Sequence, residues 1–70
     1  MNMQASSKRF EVILTLPDCQ QIRFTELELD NAIINAEQYQ FSSARILAFI
    51  NNLGLFSLTS ELNDGWKFCQ

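Results

Sequence analysis

The sequence feature that most constrains the fold is a stripe of apolar and small residues through the middle of the chain. Its members recur at intervals of three and four residues, which places them along one side of a helix. A helix with one apolar side needs a partner surface, and the segments before and after the stripe have the pattern of β-hairpins. The stripe consists of Leu29, Ala32, Ala36, Tyr39, Ser43, Ile46, Ile50 and Leu53.

Two forms of helix fit this stripe. One is a single helix over 30–54 that ends at Gly54, a residue suited to the left-handed C-cap. The other is a pair of helices hinged near Phe41, where the chain is polar and offers little to bury. The helix begins near residue 30 or, with Thr25 as its cap, a few residues earlier. The unbroken stripe favours the single helix. Residues 44–53 are its most apolar part, and the predicted core residues there are Ile46, Leu47, Phe49, Ile50 and Leu53.

The segment before the stripe predicts a β-hairpin. Apolar and polar residues alternate over 10–16, as in a half-buried strand, and a second strand ends near Leu27. A three-residue Pro-Asp-Cys loop with Cys19 in a left-handed bulge position pairs Val12 with Phe24. This register places the apolar residues of both strands on one face, whereas a two-residue loop does not.

The segment after the stripe predicts a second hairpin around the Asn-Asp-Gly turn at 63–65. With the glycine in the bulge position, Leu62 pairs with Trp66 and Ser60 pairs with Phe68. The apolar residues again share one face, so both hairpins support the same architecture.

These elements predict an α+β domain of order ββαββ, in which one long or broken helix packs on one face of a four-stranded antiparallel sheet. Residues 1–7 are predicted to form a disordered tail, and 8–70 a single domain. The predicted core face of the sheet holds Phe10, Val12, Leu14, Ile22, Phe24, Phe56, Leu58, Trp66 and Phe68. The predicted open face holds Glu11, Thr15, Arg23, Ser57, Thr59, Glu61 and Lys67.

Composition and charge exclude several classes of function. Five Lys and Arg against eight Asp and Glu give a net charge of −3, which argues against non-specific nucleic-acid binding and a basic membrane-surface helix. Histidine is absent and the two glycines belong to no phosphate-binding loop, so we predict no catalytic residue, cofactor or metal site. Cys19 and Cys69 are predicted to be free thiols. No secretory signal or membrane-spanning stretch is evident, which predicts a cytoplasmic protein by elimination.

The leading hypothesis is a small acidic protein-interaction module, an inhibitor or regulator of the phage or mobile-element type. It would use its acidic segment to occupy a basic surface on a partner protein, where charge contributes mainly specificity and steering. The predicted partner-binding residues are Glu26, Glu28, Asp30 and Glu37.

Two other hypotheses come from different classes. A nucleic-acid-binding domain could use the open sheet face, or it could be a winged helix-turn-helix with helices at 30–38 and 42–53 and a wing at 56–68. The would-be recognition helix offers only Arg45 as a cation. A homodimeric assembly protein would instead use the open face or a sheet edge. The nucleic-acid residues in the open-face hypothesis are Lys8, Arg9, Arg23 and Lys67.

Overall fold

The computed structural model describes residues 9–49 and 55–68, where a sheet of five strands, not closed, carries one helix. The α+β class and the antiparallel sheet are confirmed, with five strands in place of the predicted four. The strand order is β2-β1-β3-β4-β5, and the predicted tail at 1–7 lies outside the described residues. The elements are β1 (Phe10–Thr15), β2 (Gln21–Glu26), α1 (Leu29–Glu37), β3 (Ser43–Phe49), β4 (Leu55–Glu61) and β5 (Lys67–Phe68).

The register of the first hairpin is confirmed. Val12 lies opposite Phe24, and the loop closes through a hydrogen bond of 2.8 Å from the Leu16 N–H to the Gln20 carbonyl oxygen. Cys19 has a φ of 73°, which is the left-handed conformation that the three-residue loop requires. The Asp18 carboxylate accepts a hydrogen bond of 3.1 Å from the Gln20 N–H, which further stabilises the turn.

The strained backbone at Cys19 leads to a stability prediction. Glycine adopts a positive φ without the Cβ clash, so we expect Cys19→Gly to raise the free energy of unfolding by about 1 kcal/mol. Cys19→Ser keeps the β-carbon and is expected to change it by less than about 0.5 kcal/mol. Urea unfolding of the three proteins measures this. Equal midpoints for the glycine and serine variants would show that the backbone carries no such strain.

Helix α1 is shorter than predicted. It begins after Glu28, the N-cap residue, and ends at Glu37. The first three members of the predicted stripe, Leu29, Ala32 and Ala36, are on its inner side, where the two alanines are fully buried and α1 contacts β1 and β2. The fourth member, Tyr39, lies beyond the end of the helix and is exposed. Within residues 9–49 and 55–68, no helix has the length and apolar character needed to cross a membrane.

The prediction that the helix continues beyond residue 42 is wrong, because Ser43–Phe49 is strand β3. Its buried residues Ala44, Ile46 and Ala48 recur every second position, with Arg45 exposed between them. A short apolar run fits helical and strand periods equally well. Strands β1 and β4 flank β3 on both sides and supply its backbone hydrogen bonds, which a local pattern cannot reveal. The predicted cap Gly54 lies outside the described residues.

The predicted register of the second hairpin is wrong by two residues. Leu58 lies opposite Phe68, so the loop is wider than predicted, although a shift of two leaves each side chain on its predicted face. The turn forms one residue earlier, with Leu62 and Asn63 at φ values of 55° and 54°. The Asn63 side chain explains this position, because its Oδ1 accepts a hydrogen bond of 3.2 Å from the Phe41 N–H.

The core lies between α1 and the sheet and is completed by aromatic residues. Phe41 is fully buried, and its ring centroid lies 6.1 Å from that of the partly buried Trp66. Phe68, predicted to be buried, is 72% exposed because β5 has only two residues and lies at the sheet edge. The buried cluster consists of Val12, Leu14, Ala32, Ala36, Phe41, Ala44, Ile46 and Leu58.

Candidate binding surfaces

The four predicted acidic residues have different environments. Glu26 is half-buried, and its carboxylate accepts a hydrogen bond from the Asn35 side chain, so it ties β2 to α1. Glu28 is exposed at the N-cap and makes no side-chain capping bond. Asp30 and Glu37 are exposed on α1. Asp30 and Glu37 are therefore accessible on the helix surface, and Glu37, like Glu26, also accepts a side-chain hydrogen bond within the chain.

Asp30 and Glu37 share one side of α1 with an exposed isoleucine. Ile34 follows Asp30 by four residues and precedes Glu37 by three, a spacing that aligns all three side chains on a helix. Its side chain is 55% exposed. The two carboxylates are separated by seven residues, or about 10 Å along the axis. We refer to Asp30, Ile34 and Glu37 as the α1 strip.

Further apolar side chains are exposed near the α1 strip. Leu27 is exposed immediately before the N-cap, and Leu62 shares a hollow of about 390 Å³ with Glu37 and Tyr39. Leu62 is 76% exposed and its backbone is in the left-handed conformation. A leucine in this position gains little from burial and is disfavoured by its backbone, so it does not stabilise the fold. An apolar surface bordered by carboxylates is typical of a protein-binding site.

Glu37 also links the helix to the second hairpin. Its carboxylate accepts a hydrogen bond of 2.9 Å from the Trp66 Nε1–H. An anion at the C-terminal end of a helix is unfavourable because the helix dipole is negative there, and the last turn carries no basic residue. The indole hydrogen bond offsets this repulsion and orients the carboxylate.

These opposing effects predict different results for two substitutions at Glu37. In Glu37→Gln the amide oxygen still accepts from Trp66 while the repulsion disappears, so we expect an unfolding free energy equal to or slightly above wild type. Glu37→Ala loses the hydrogen bond and is expected to lower it by about 1 kcal/mol. Urea unfolding followed by fluorescence of Trp66, the single tryptophan, measures both. An equal loss in both variants would contradict this account.

The open sheet face carries a row of basic residues. Cross-strand pairing aligns one residue from each of the five strands, so that two arginines and a lysine fall in one line. This middle row contains three of the five basic residues of the chain. Its members, from β2 to β5, are Arg23, Ile13, Arg45, Thr59 and Lys67.

The sequence predicts Arg23 and Lys67 on this face but not Arg45. The helical stripe places Arg45 in a helix, whereas the alternation of Ser43, Arg45 and Leu47 with the small or apolar residues Ala44, Ile46 and Ala48 is the signal for a strand. In the structure the arginine is at the centre of the row, between the two predicted cations.

The middle row borders a concavity of about 380 Å³. Arg23 and Arg45 line it together with the hydroxyl residues Thr15 and Ser43, and Glu61 lies at one side. Within the part of the chain that the structure describes, neither arginine side chain forms a hydrogen bond or an ion pair. Two guanidinium groups that form no ion pair, beside hydroxyl groups, can bind carboxylate or phosphate oxygens, although Glu61 in the same concavity lowers the local positive charge.

The remaining residues of the nucleic-acid hypothesis do not extend this row. Lys8 lies outside the described residues, and Arg9 is exposed just before β1. Neither the middle row nor the rows beside it contain an aromatic residue on which a base could stack. The two flanking rows are Thr25, Glu11, Leu47, Ser57 and Gln21, Thr15, Ser43, Glu61.

The winged helix-turn-helix hypothesis is wrong for the described residues. The segment assigned to its recognition helix, 42–53, contains strand β3 in the middle of the sheet. A strand hydrogen-bonded on both sides cannot enter a DNA groove as a recognition helix does.

Nucleophilic and metal-binding groups are sparse in the described residues. Cys19 is an exposed free thiol at the first turn, and Cys69 lies outside the described residues. Among residues 9–49 and 55–68, no three His, Cys, Asp or Glu side chains are grouped closely enough to hold a metal ion.

Comparison of the chain with protein-family models, with curated proteins and with solved structures finds no match.

Proposed function

We propose that this chain is a small protein-interaction module that binds a basic surface of a partner protein through the α1 strip, as an inhibitor or regulator. The observation that carries the proposal is the exposed Ile34 between Asp30 and Glu37 on one side of the helix. An apolar centre flanked by charges has the composition of a binding hot spot with a charged rim.

The surroundings of the α1 strip support the same surface. Leu27 and Leu62 add exposed apolar area at either end of the helix. Leucine at a left-handed position of a turn disfavours folding, and strain of this kind is concentrated at functional sites. The partner therefore needs apolar side chains as well as Lys and Arg, because charge alone contributes mainly steering.

The acidic charge of the chain supports a basic partner. Glu28 is exposed at the N-terminal end of α1 and adds a third carboxylate near the strip. Glu26 contributes through the Asn35 hydrogen bond, which fixes α1 against β2. We assign Glu26 a positioning role and Glu28, Asp30 and Glu37 the direct contacts.

Affinity capture from the native host at physiological salt tests the proposal. The tagged wild type is compared with Asp30→Asn/Glu37→Gln and with Ile34→Ala. We expect one stoichiometric protein with wild type, and an affinity about thirtyfold weaker when either part of the strip is removed.

A matched control removes the same charge at other sites. Glu11 on the open sheet face and Asp18 in the first turn are exposed carboxylates outside the α1 strip, and Glu11→Gln/Asp18→Asn should retain the partner. Capture that is unchanged by the strip variants, or reduced equally by the control, would refute the assignment of the binding surface.

A further inference from the structure

We propose that the basic middle row of the open sheet face binds the α1 strip of a second copy of this chain, so that copies associate helix to sheet. The inference rests on the proposed function of the α1 strip, because it identifies a basic surface that the strip fits. Three features of the described residues support it: the spacing of the charges, the apolar residue between them and the separation of the two surfaces.

The charges on the two surfaces have the same spacing. Arg23 and Arg45 both lie opposite Ile13, so two interstrand steps of about 4.8 Å separate them, or about 10 Å in total. Asp30 and Glu37 are about 10 Å apart along α1. A helix lying across the strands can therefore place one carboxylate on each guanidinium group, where the pairing is charge-assisted.

The apolar residues between the charges also correspond. Ile34 lies between the two carboxylates of the strip, and the partly exposed Ile13 lies between the two arginines of the row. The alternative position, over Arg45 and Lys67, places Thr59 opposite the isoleucine. The apolar match therefore favours the Arg23 and Arg45 half of the row.

The two surfaces are on opposite sides of the sheet. Helix α1 covers the core face, whereas the middle row lies on the open face. Because the two surfaces face in opposite directions, they cannot both contact a single neighbour related by a two-fold axis. The contact is therefore heterologous, and each copy can bind two others. Association should increase with protein concentration and decrease with salt, which screens the exposed charges.

Another anionic occupant of the row would be a phosphodiester backbone. The middle row and the two rows beside it contain no aromatic residue, so bases of a strand bound along the arginines would lack the stacking contribution of such sites. The spacing of Asp30 and Glu37 on α1 also matches the spacing of the two arginines in the row. We therefore assign the row to the helix of a second copy and test nucleic acid as the competitor.

Sedimentation velocity on two neutralised variants tests the inference. The helix variant is Asp30→Asn/Glu37→Gln, and the sheet variant is Arg23→Gln/Arg45→Gln. We expect the wild type to form larger species as concentration rises and each variant alone to remain monomeric. An equimolar mixture of the variants should form a one-to-one pair, because the mixture retains one intact strip and one intact row. Arg9→Gln/Asp64→Asn, whose charges lie outside both surfaces, should behave as wild type.

Other outcomes would overturn the inference. A wild type that stays monomeric at every concentration refutes it and leaves the α1 strip for a foreign partner, so the proposed function stands. Association that persists in the helix variant assigns self-association to another surface, such as the edge strand β2, and also refutes it. Filter retention of a thymidine oligonucleotide by wild type, lost in the sheet variant, assigns the row to phosphate and refutes it. Circular dichroism confirms that each variant is folded, and loss of wild-type association in high salt provides a test that needs no substitution.

Discussion

Replacing Phe41 with alanine is expected to lower the free energy of unfolding by about 3 to 5 kcal/mol, which would unfold most of a domain of this size. Phe41 is only 2% exposed and is among the largest fully buried side chains. Its ring lies against Trp66, and its N–H donates to the Asn63 side chain that fixes the second turn. Alanine would leave a cavity and remove the ring contact in a core with few large residues.

Chemical unfolding followed by circular dichroism measures this loss. Phe41→Leu fills part of the cavity and is expected to cost about 1 to 2 kcal/mol. Phe68→Ala removes the same ring from an exposed position at the sheet edge and is expected to cost less than about 1 kcal/mol. If the alanine variants of Phe41 and Phe68 were equally stable, the aromatic core described here would be wrong.

Aspartate at two adjacent positions of β3 is expected to have very different effects. Ala48 is buried on the core face, so Ala48→Asp places a carboxylate without a partner in the core. We expect a loss of more than about 3 kcal/mol in the free energy of unfolding. Leu47 is on the open face and partly exposed, so Leu47→Asp is expected to cost about 1 kcal/mol.

The order of these two effects distinguishes a strand from a helix. The helical interpretation of the sequence includes Leu47 among its core residues and predicts the larger loss there. Thermal unfolding of wild type and both variants distinguishes the strand from the helix. The two variants are a matched pair, because each adds one negative charge and the positions are adjacent in the sequence. A larger loss for Leu47→Asp would contradict the strand β3 and the open face built on it.

The first hairpin could be predicted from the sequence because its pairing is local. The Pro-Asp-Cys turn and the alternation on both sides determine the register, and only one loop length places all apolar residues on one face. The second hairpin has an equally strong turn signal, but Asn63 hydrogen bonds to the Phe41 N–H across a large sequence separation. That contact moves the turn by one residue, and no local pattern encodes it.

Strand β3 could not be predicted from such local signals. The apolar residues of 43–49 fit both the three-and-four spacing of a helix and the two-residue spacing of a strand. Pairing with β1 and β4 selects the strand. The basic middle row depends on that pairing, so it could not be predicted from the sequence either. The acidic residues of the α1 strip were predicted, whereas the exposure of Ile34 and Leu62 required the bounds of the helix and the turn conformation.

The central claim is that the α1 strip binds a basic surface, and residue-resolved NMR tests it most directly. Isotope-labelled protein, below the concentration at which it self-associates, is titrated with an amphipathic helical peptide of Lys, Arg and Leu. We expect the largest chemical-shift changes at Asp30, Ile34, Glu37 and Leu62, and little change along the middle row. Shifts concentrated at Arg23 and Arg45, or spread evenly over both faces, would contradict the claim.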